Sequence, residues 1–238
     1  MNIIKARYAS LESVTTVAIC ADLACREGWK RNFVPLMDHV WRLHRPGAFL
    51  VAGDLSLNSA PDEYEEIISL MEPYQSRLAA IPGDHDRPLA GFIKYFGATR
   101  KVVDIGRWRF ICVNTSNRMF LRSEEDFIER NIRKNSVILS HLPPEADGWT
   151  FHSLWPRSSD RFLAVFDRHR NKIAAAFFGH IHGHSERERH GIPLIATGGV
   201  AESLIVEGNR YSGNGRLQMM IFDVSSGAIS LCELENPA

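Results

Sequence analysis

The first third of the chain alternates short apolar runs with amphipathic stretches. Val17–Ala21, Phe49–Ala52 and Leu78–Ile81 are apolar runs of buried-strand length. Between them, Arg31–His44 places Phe33, Leu36, Met37, Val40 and Trp41 on one helical face. Asp62–Met71 does the same with Tyr64, Ile67, Ile68 and Met71. Pro61 with Asp62 supplies a helix start, since the N–H that proline lacks has no partner in a first turn anyway. This strand–helix–strand–helix–strand order predicts parallel strands with helices packed outside them.

The pattern then changes. Lys101–Asp104 and Arg107–Val113 flank an Ile-Gly turn and predict a hairpin. Ser123 with Asp126 has the look of a capping box, opening a helix through Phe127 and Ile132. Val137–Leu139 is a further buried strand, Leu142–Arg161 has little period and reads as mostly loop, and Phe162–His169 is helical. Ile173–Phe178, Pro193–Ala196, Leu217–Val224 and Ala228–Leu234 make the C-terminal third strand-rich, with glycine turns. With no repeat, low-complexity tract or linker, the expectation is one α/β domain over residues 1–238 with two sheets.

Composition narrows the function. Lys+Arg and Asp+Glu both total 28 of the 238 residues. The resulting zero formal charge argues against a generic polyanion-binding surface but leaves a local basic cleft open. The N-terminus lacks the sections of a secretory signal, and no apolar run approaches the ~20 residues of a membrane helix. Cys20, Cys25, Cys112 and Cys232 show no CxxC spacing; Cys20 and Cys112 lie in apolar runs and read as buried free thiols. A cytoplasmic protein without a membrane partner is the expectation.

Polar residues able to bind metal fall just after the apolar runs. Asp22 follows Val17–Ala21, and Asp54 follows Phe49–Ala52 and one glycine. Asp84 and His85 follow Leu78–Ile81 and Pro-Gly. His141 follows Val137–Leu139, and His180 and His182 follow Ala174–Phe178 and one glycine. In α/β sheets, ligands bind at the carboxyl ends of strands. Singly, each has a plain alternative: an Asp after a strand often caps a helix, Gly-Asp is a common turn, and ten histidines make one His-x-His unsurprising. Order, strand context and residue type agreeing together is far more specific.

Quoted in sequence, these stretches are Asp22-Leu-Ala24, Gly53-Asp54, Gly83-Asp84-His85-Asp86, His141 and Gly179-His180-Ile-His182. The set resembles the calcineurin-like metallophosphoesterases, whose pattern is Asp-x-His, Gly-Asp, Gly-Asn-His-Asp/Glu, His and Gly-His-x-His. The resemblance runs from about Val17 to at least His182. It implies a four-layer α-β-β-α sandwich, two mixed sheets flanked by helices. It also implies two metal ions sharing Asp54, with Asp22 and His182 completing one site and Asp84, His141 and His180 the other. Mixed imidazole and carboxylate donors suit Mn, Fe, Zn or Co better than magnesium. Such a pair polarises a phosphoryl oxygen and lowers the pKa of a shared water. His85 would stabilise developing charge or protonate the leaving oxygen, with Asp86 orienting it.

Two positions depart from that pattern. Ala24 stands where the family has histidine, so the first site keeps only Asp22, Asp54 and His182 and is expected to bind more weakly; Ala24→His should then tighten it. Cys25 is the one nearby substitute ligand. Asp84 stands where the family has asparagine, which adds a charge to the second site and repulsion towards an anionic phosphate. Around this set, His184 is either a pocket or a turn histidine. The Pro143–Trp155 segment, with Trp149, Phe151, His152 and Trp155, either walls a pocket or anchors a loop. Arg118 and Arg122 read as surface residues with phosphate contact the alternative. The leading expectation is hydrolysis of a small phosphomonoester or phosphodiester, nucleotide-like substrates included, with long nucleic acid disfavoured. The rival is a protein-binding scaffold that retains the fold and binds metal poorly.

Overall fold

The computed structural model describes residues 13–24, 26–74, 76–146, 149–150, 152–207, 210–212 and 215–235. In chain order the elements are β1 (Thr16–Cys20), α1 (Lys30–His44), β2 (Ala48–Ala52), α2 (Pro61–Met71), β3 (Arg77–Ile81) and α3 (Leu89–Phe96). They continue with β4 (Lys101–Ile105), β5 (Trp108–Cys112), α4 (Arg122–Asn131), β6 (Ser136–Ser140), α5 (Pro156–Arg168) and β7 (Ile173–Phe178). The chain ends with β8 (His184–Arg189), β9 (Ile192–Thr197), β10 (Ile205–Glu207), β11 (Arg210–Ser212), β12 (Leu217–Asp223) and β13 (Ile229–Leu234).

Two mixed sheets result. One has the order β13-β12-β1-β2-β3, and the other β4-β5-β6-β7-β9-β8. β1, β2 and β3 run parallel, as do β5, β6, β7 and β9, with antiparallel strands at the flanks. The alternation of side chains along each strand builds the layers. Val17, Ile19, Leu50, Ala52, Val137, Leu139 and Phe177 fill the space between the sheets. Ala18, Cys20, Phe49 and Val51 face the other way, onto Phe33, Leu36, Val40, Tyr64 and Ile67 of α1 and α2. Ile138, Ala176 and Phe178 meet Ile128, Phe162, Val165 and Phe166 of α4 and α5. The architecture is the expected four-layer sandwich. Strands apolar on both faces read as continuous runs because both faces are covered.

Several local expectations are corrected. α4 begins at Arg122 with Leu121 before it and no side-chain cap, so Ser123 lies inside the first turn and caps nothing. α5 begins at Pro156, whose fixed φ suits a first turn, so the end of the expected loop is helical. α3 was not expected; its two buried residues, Phe92 and Phe96, are too few to set a clear period. The mixed-charge run Glu186–His190, which reads most simply as an exposed strand or turn, falls largely in β8, an edge strand on β9, as that reading has it. β10 and β11 make a separate short hairpin. Cys20, Cys112 and Cys232 are free and buried, and burial pushes the Cys112 thiol up to about 12. Among the described residues, no helix is long and apolar enough to cross a membrane.

Candidate metal centre

Five strand ends deliver the candidate ligands to one edge. Asp22 follows β1, Asp54 follows β2, Asp84 follows β3, His141 follows β6, and His180 and His182 follow β7. They fall into two groups, Asp54 with Asp84, His141 and His180, and Asp22 with Asp54 and His182. Within each group the ligand atoms lie within 4.8 Å of one another, and Asp54 belongs to both. Asp22, Asp54 and His141 are fully buried.

The backbone carries strain where these residues sit. Asp22 (φ 58°), Asp54 (φ 54°), His180 (φ 66°) and His182 (φ 57°) are all left-handed. Side chains other than glycine rarely adopt that region, at about 1–3 kcal/mol each. The cost is offset by hydrogen bonds that fix the turns: Asp22 N–H to Gly53 O at 3.0 Å, Leu23 N–H to Asp54 O at 2.9 Å, and Leu204 N–H to His182 O at 2.7 Å. The glycines of the motifs are required for space. A Cβ on Gly83 would lie 2.0 Å from Asp54 Oδ1, and one on Gly53 would lie 2.4 Å from His141 Nδ1. Gly53-Asp54 is therefore more than a common turn pair.

The histidines are oriented by acceptors. His141 Nδ1 donates to Ala52 O at 2.7 Å, which turns Nε2 towards Asp84 Oδ1 at 2.9 Å and Asp54 Oδ2 at 3.5 Å. His180 Nδ1 lies 3.1 Å from Asp84 Oδ1, and His182 Nε2 3.6 Å from Asp22 Oδ1. Burial pushes Asp22 up to about 6, although His182 and His141 pull against it. Burial works against a charged His141, but the Asp54 charge and the Asp84 hydrogen bond lift it to about 10. Burial takes His180 the other way, to about 4. Asp84 is opposed by burial too, yet hydrogen bonds from His141 and His180 hold it well below the carboxylate range.

Asp54 Oδ2 and His180 Nε2 are buried without a hydrogen-bond partner. Each such atom costs about 1–3 kcal/mol, more when the group is charged. Orphaned lone pairs beside further carboxylates and imidazoles are what a cation would satisfy, and the mixed N/O donors match first-row transition metals. The residues present fit a metal pair.

His85 is half-buried beside the groups. Its Nδ1 lies 3.0 Å from Leu57 O, and its N–H donates to Asp54 Oδ1 at 3.0 Å. The expectation that Asp86 orients His85 directly is corrected. Asp86 instead accepts from the N–H groups of Leu55, Ser56 and Gly83 and from the hydroxyls of Ser56 and Tyr64. It ties the loop after β2, which carries Leu57, to the turn after β3, which carries His85, without touching the imidazole itself. Burial pushes Asp86 up to about 6, with Asp54 adding to the effect and its hydrogen-bond donors opposing it.

Ala24 is fully buried in the apolar cluster that holds Trp29, Val200 and Ala201. A methyl packed there offers no donor. Cys25 and Phe151 lie outside the described residues. Trp149 is a core anchor against Phe178, with its indole N–H on Ser185 Oγ at 3.3 Å. Trp155 is 57% exposed. His184 bonds to Ala196 O and pairs with Glu186, apart from both groups. Two residues for which a site role was one of two readings lie beside the groups. Arg118 Nη1 lies 3.9 Å from Asp84 Oδ2, and the His152 ring centroid lies 5.4 Å from that of His180. Arg118 lies several residues beyond β5 and His152 in a segment without period, so the sequence named a site role for each only as an alternative.

Comparison with known proteins bears on the family and the fold. A family model described as calcineurin-like phosphoesterase matches residues 15–184. The chain is similar to a 3',5'-cyclic-nucleotide phosphodiesterase of Nostoc sp., at 30% identity over 165 residues covering 62% of this chain and 60% of that protein. It is also similar to a 3',5'-cyclic adenosine monophosphate phosphodiesterase of Haemophilus influenzae, at 25% identity over 164 residues covering 62% and 59%. The match thus spans about six tenths of these relatives' length. Among solved structures, a Thermus thermophilus protein has a TM-score of 0.62 at 11% identity, covering 93% of this chain and 99% of that one. Plasmodium GAP50, described as the anchor in the inner membrane complex, has a TM-score of 0.68 at 8% identity, covering 93% and 84%. Identities that low show the fold alone.

Proposed function

The chain belongs to the calcineurin-like phosphoesterase family, and from that premise we propose that it hydrolyses a small phosphodiester, with cyclic nucleotides the leading substrate class. The observation that carries the reading is the pair of ligand groups sharing Asp54, with buried lone pairs left over on Asp54 and His180. The printed activities of the Nostoc and Haemophilus relatives support the substrate class.

In this reading Asp54, Asp84, His141 and His180 hold one metal ion, and Asp54, Asp22 and His182 hold the other. When bound, such a pair supplies Lewis acidity for a phosphoryl oxygen and lowers the pKa of nearby water. The side chains do the rest. Asp54 is fixed by His85 N–H, so the shared carboxylate cannot rotate out of both groups. Ala52 O keeps the His141 proton on Nδ1 and its Nε2 lone pair turned to the centre. Burial disfavours a proton on His85, but Leu57 O and the charges of Asp54 and Asp84 outweigh it and raise its pKa. The ring therefore takes up its proton readily, and Nε2–H can donate to the departing oxygen.

One observation favours the scaffold reading: Ala24 is packed into the apolar core rather than offering a donor. A direct test decides. Purified protein is stripped, reloaded with Mn, Fe, Zn or Co, and assayed on cyclic AMP and bis-nitrophenyl phosphate. Turnover abolished by His85→Ala and by Asp54→Ala supports the enzyme. Absence of turnover with every metal sinks it.

A further inference from the structure

Residues outside the family motifs stand beside the two ligand groups. Arg118 occupies the turn after β5 with a left-handed backbone, φ 62°. Its N–H donates to Thr115 O at 2.9 Å, and its carbonyl accepts from Trp155 N–H at 3.3 Å. The same turn is braced by Ser116 N–H on Asn114 Oδ1 at 3.0 Å and by Arg87 Nη1 on Ser116 Oγ at 3.3 Å. The main chain thus presents Arg118 before any ligand arrives. Asp84 faces two ways. Its Oδ1 meets His141 and His180, while its Oδ2 lies 3.9 Å from Arg118 Nη1, with the two side chains 25% and 39% exposed. His152 stands beside them, half-buried, its ring centroid 5.4 Å from that of His180 and 4.9 Å from that of Tyr211. It lies close enough to Arg118, Asp84 and His182 to feel the charge of each.

Asp84 poses a problem for an anionic substrate. It puts a full negative charge where a neutral amide would leave none, on the side of the metal centre that solvent reaches. A guanidinium 3.9 Å away offsets that charge and offers a planar fork of donors matched to phosphate oxygens. We propose that Arg118 and His152 form a phosphate-receiving wall that takes the non-bridging oxygens of the substrate, with the guanidinium of Arg118 offsetting the charge of Asp84. The proposal rests on the phosphoesterase reading above and adds two substrate-binding residues to it.

The test uses the full chain loaded with manganese and inorganic phosphate as the probe. Phosphate affinity is measured by calorimetry, metal content by elemental analysis, and kinetics on bis-nitrophenyl phosphate. Arg118→Gln is expected to weaken phosphate binding about tenfold with metal content unchanged. KM rises in step, while kcat stays within about threefold, as for lost uniform binding. His152→Phe shifts both in the same direction by less. Because Arg118 and Asp84 oppose each other, Asp84→Asn in the Arg118→Gln background, at saturating metal, recovers most of the lost phosphate affinity. An active wild type whose Arg118→Gln form binds phosphate equally well overturns this inference alone. Failure of Asp84→Asn to restore affinity overturns the charge-offset part. A wild type that neither binds phosphate nor turns over substrate overturns the phosphoesterase reading as well.

Discussion

The carbonyl of Ala52, at the end of β2, accepts the Nδ1 proton of His141, at the end of β6, over 2.7 Å. The strands concerned belong to different sheets, so this bond ties the two sheets together at the site edge. It also fixes the His141 tautomer, leaving Nε2 for the centre. His141→Ala removes a ligand and this clamp together. Affinity for the second metal ion is expected to fall by about a hundredfold or more. A metal titration followed by calorimetry measures it, and an unchanged stoichiometry and affinity would refute the ligand assignment.

Asp86 gathers five donors in a fully buried position. Asp86→Ala strands them. Unfolding free energy in urea is expected to drop by about 3 kcal/mol. Since the loop holding His85 loses its anchor, kcat falls by about a hundredfold. Loss of stability with kcat intact would leave Asp86 a purely structural tie.

Ala24→His no longer reads as a simple ligand restoration. The position is packed against an apolar cluster, and forcing an imidazole into it costs about 1–3 kcal/mol. The metal-free variant is expected to melt below the wild type. Adding manganese then raises its melting temperature more than that of the wild type, because the new ligand couples binding to folding. Equal metal-induced shifts in the two proteins would show that residue 24 does not face the first site.

Lys101 gives a pH dependence away from the centre. Burial lowers its pKa from 10.5 to about 8, although its Nζ reaches the carbonyls of Ala80 and Ala98. Between those pH values the unfolded chain still binds a proton that the folded chain has shed. Stability therefore gains from this residue as pH rises through 8, by on the order of 3 kcal/mol at most. Urea unfolding of Lys101→Met against wild type checks the sign: the variant compares more favourably at pH 7.5 than at pH 10. A pH-independent difference would show that the two carbonyls fully compensate the charge.

Two sheets with outer helices, and candidate ligands at strand ends, were legible along the chain, whereas the four-layer order and the grouping of ligands into two sites were what the family resemblance implied. The legible part depends on local pattern: strands covered on both faces read as unbroken apolar runs, and the candidate ligands follow those runs by one or two residues. Val17–Ala21 with Asp22, and Val137–Leu139 with His141, are such cases. Short α3 and the start of α5 escaped because too few buried residues in period mark them. What needed three dimensions was every relation between distant segments. The partners of Asp86 lie on two loops, Arg118 meets Asp84 only because separate turns converge, and Ala24 turns out to be core. A side chain's neighbours across a sheet or cleft are set by backbone turns and packing, and linear spacing carries no record of them.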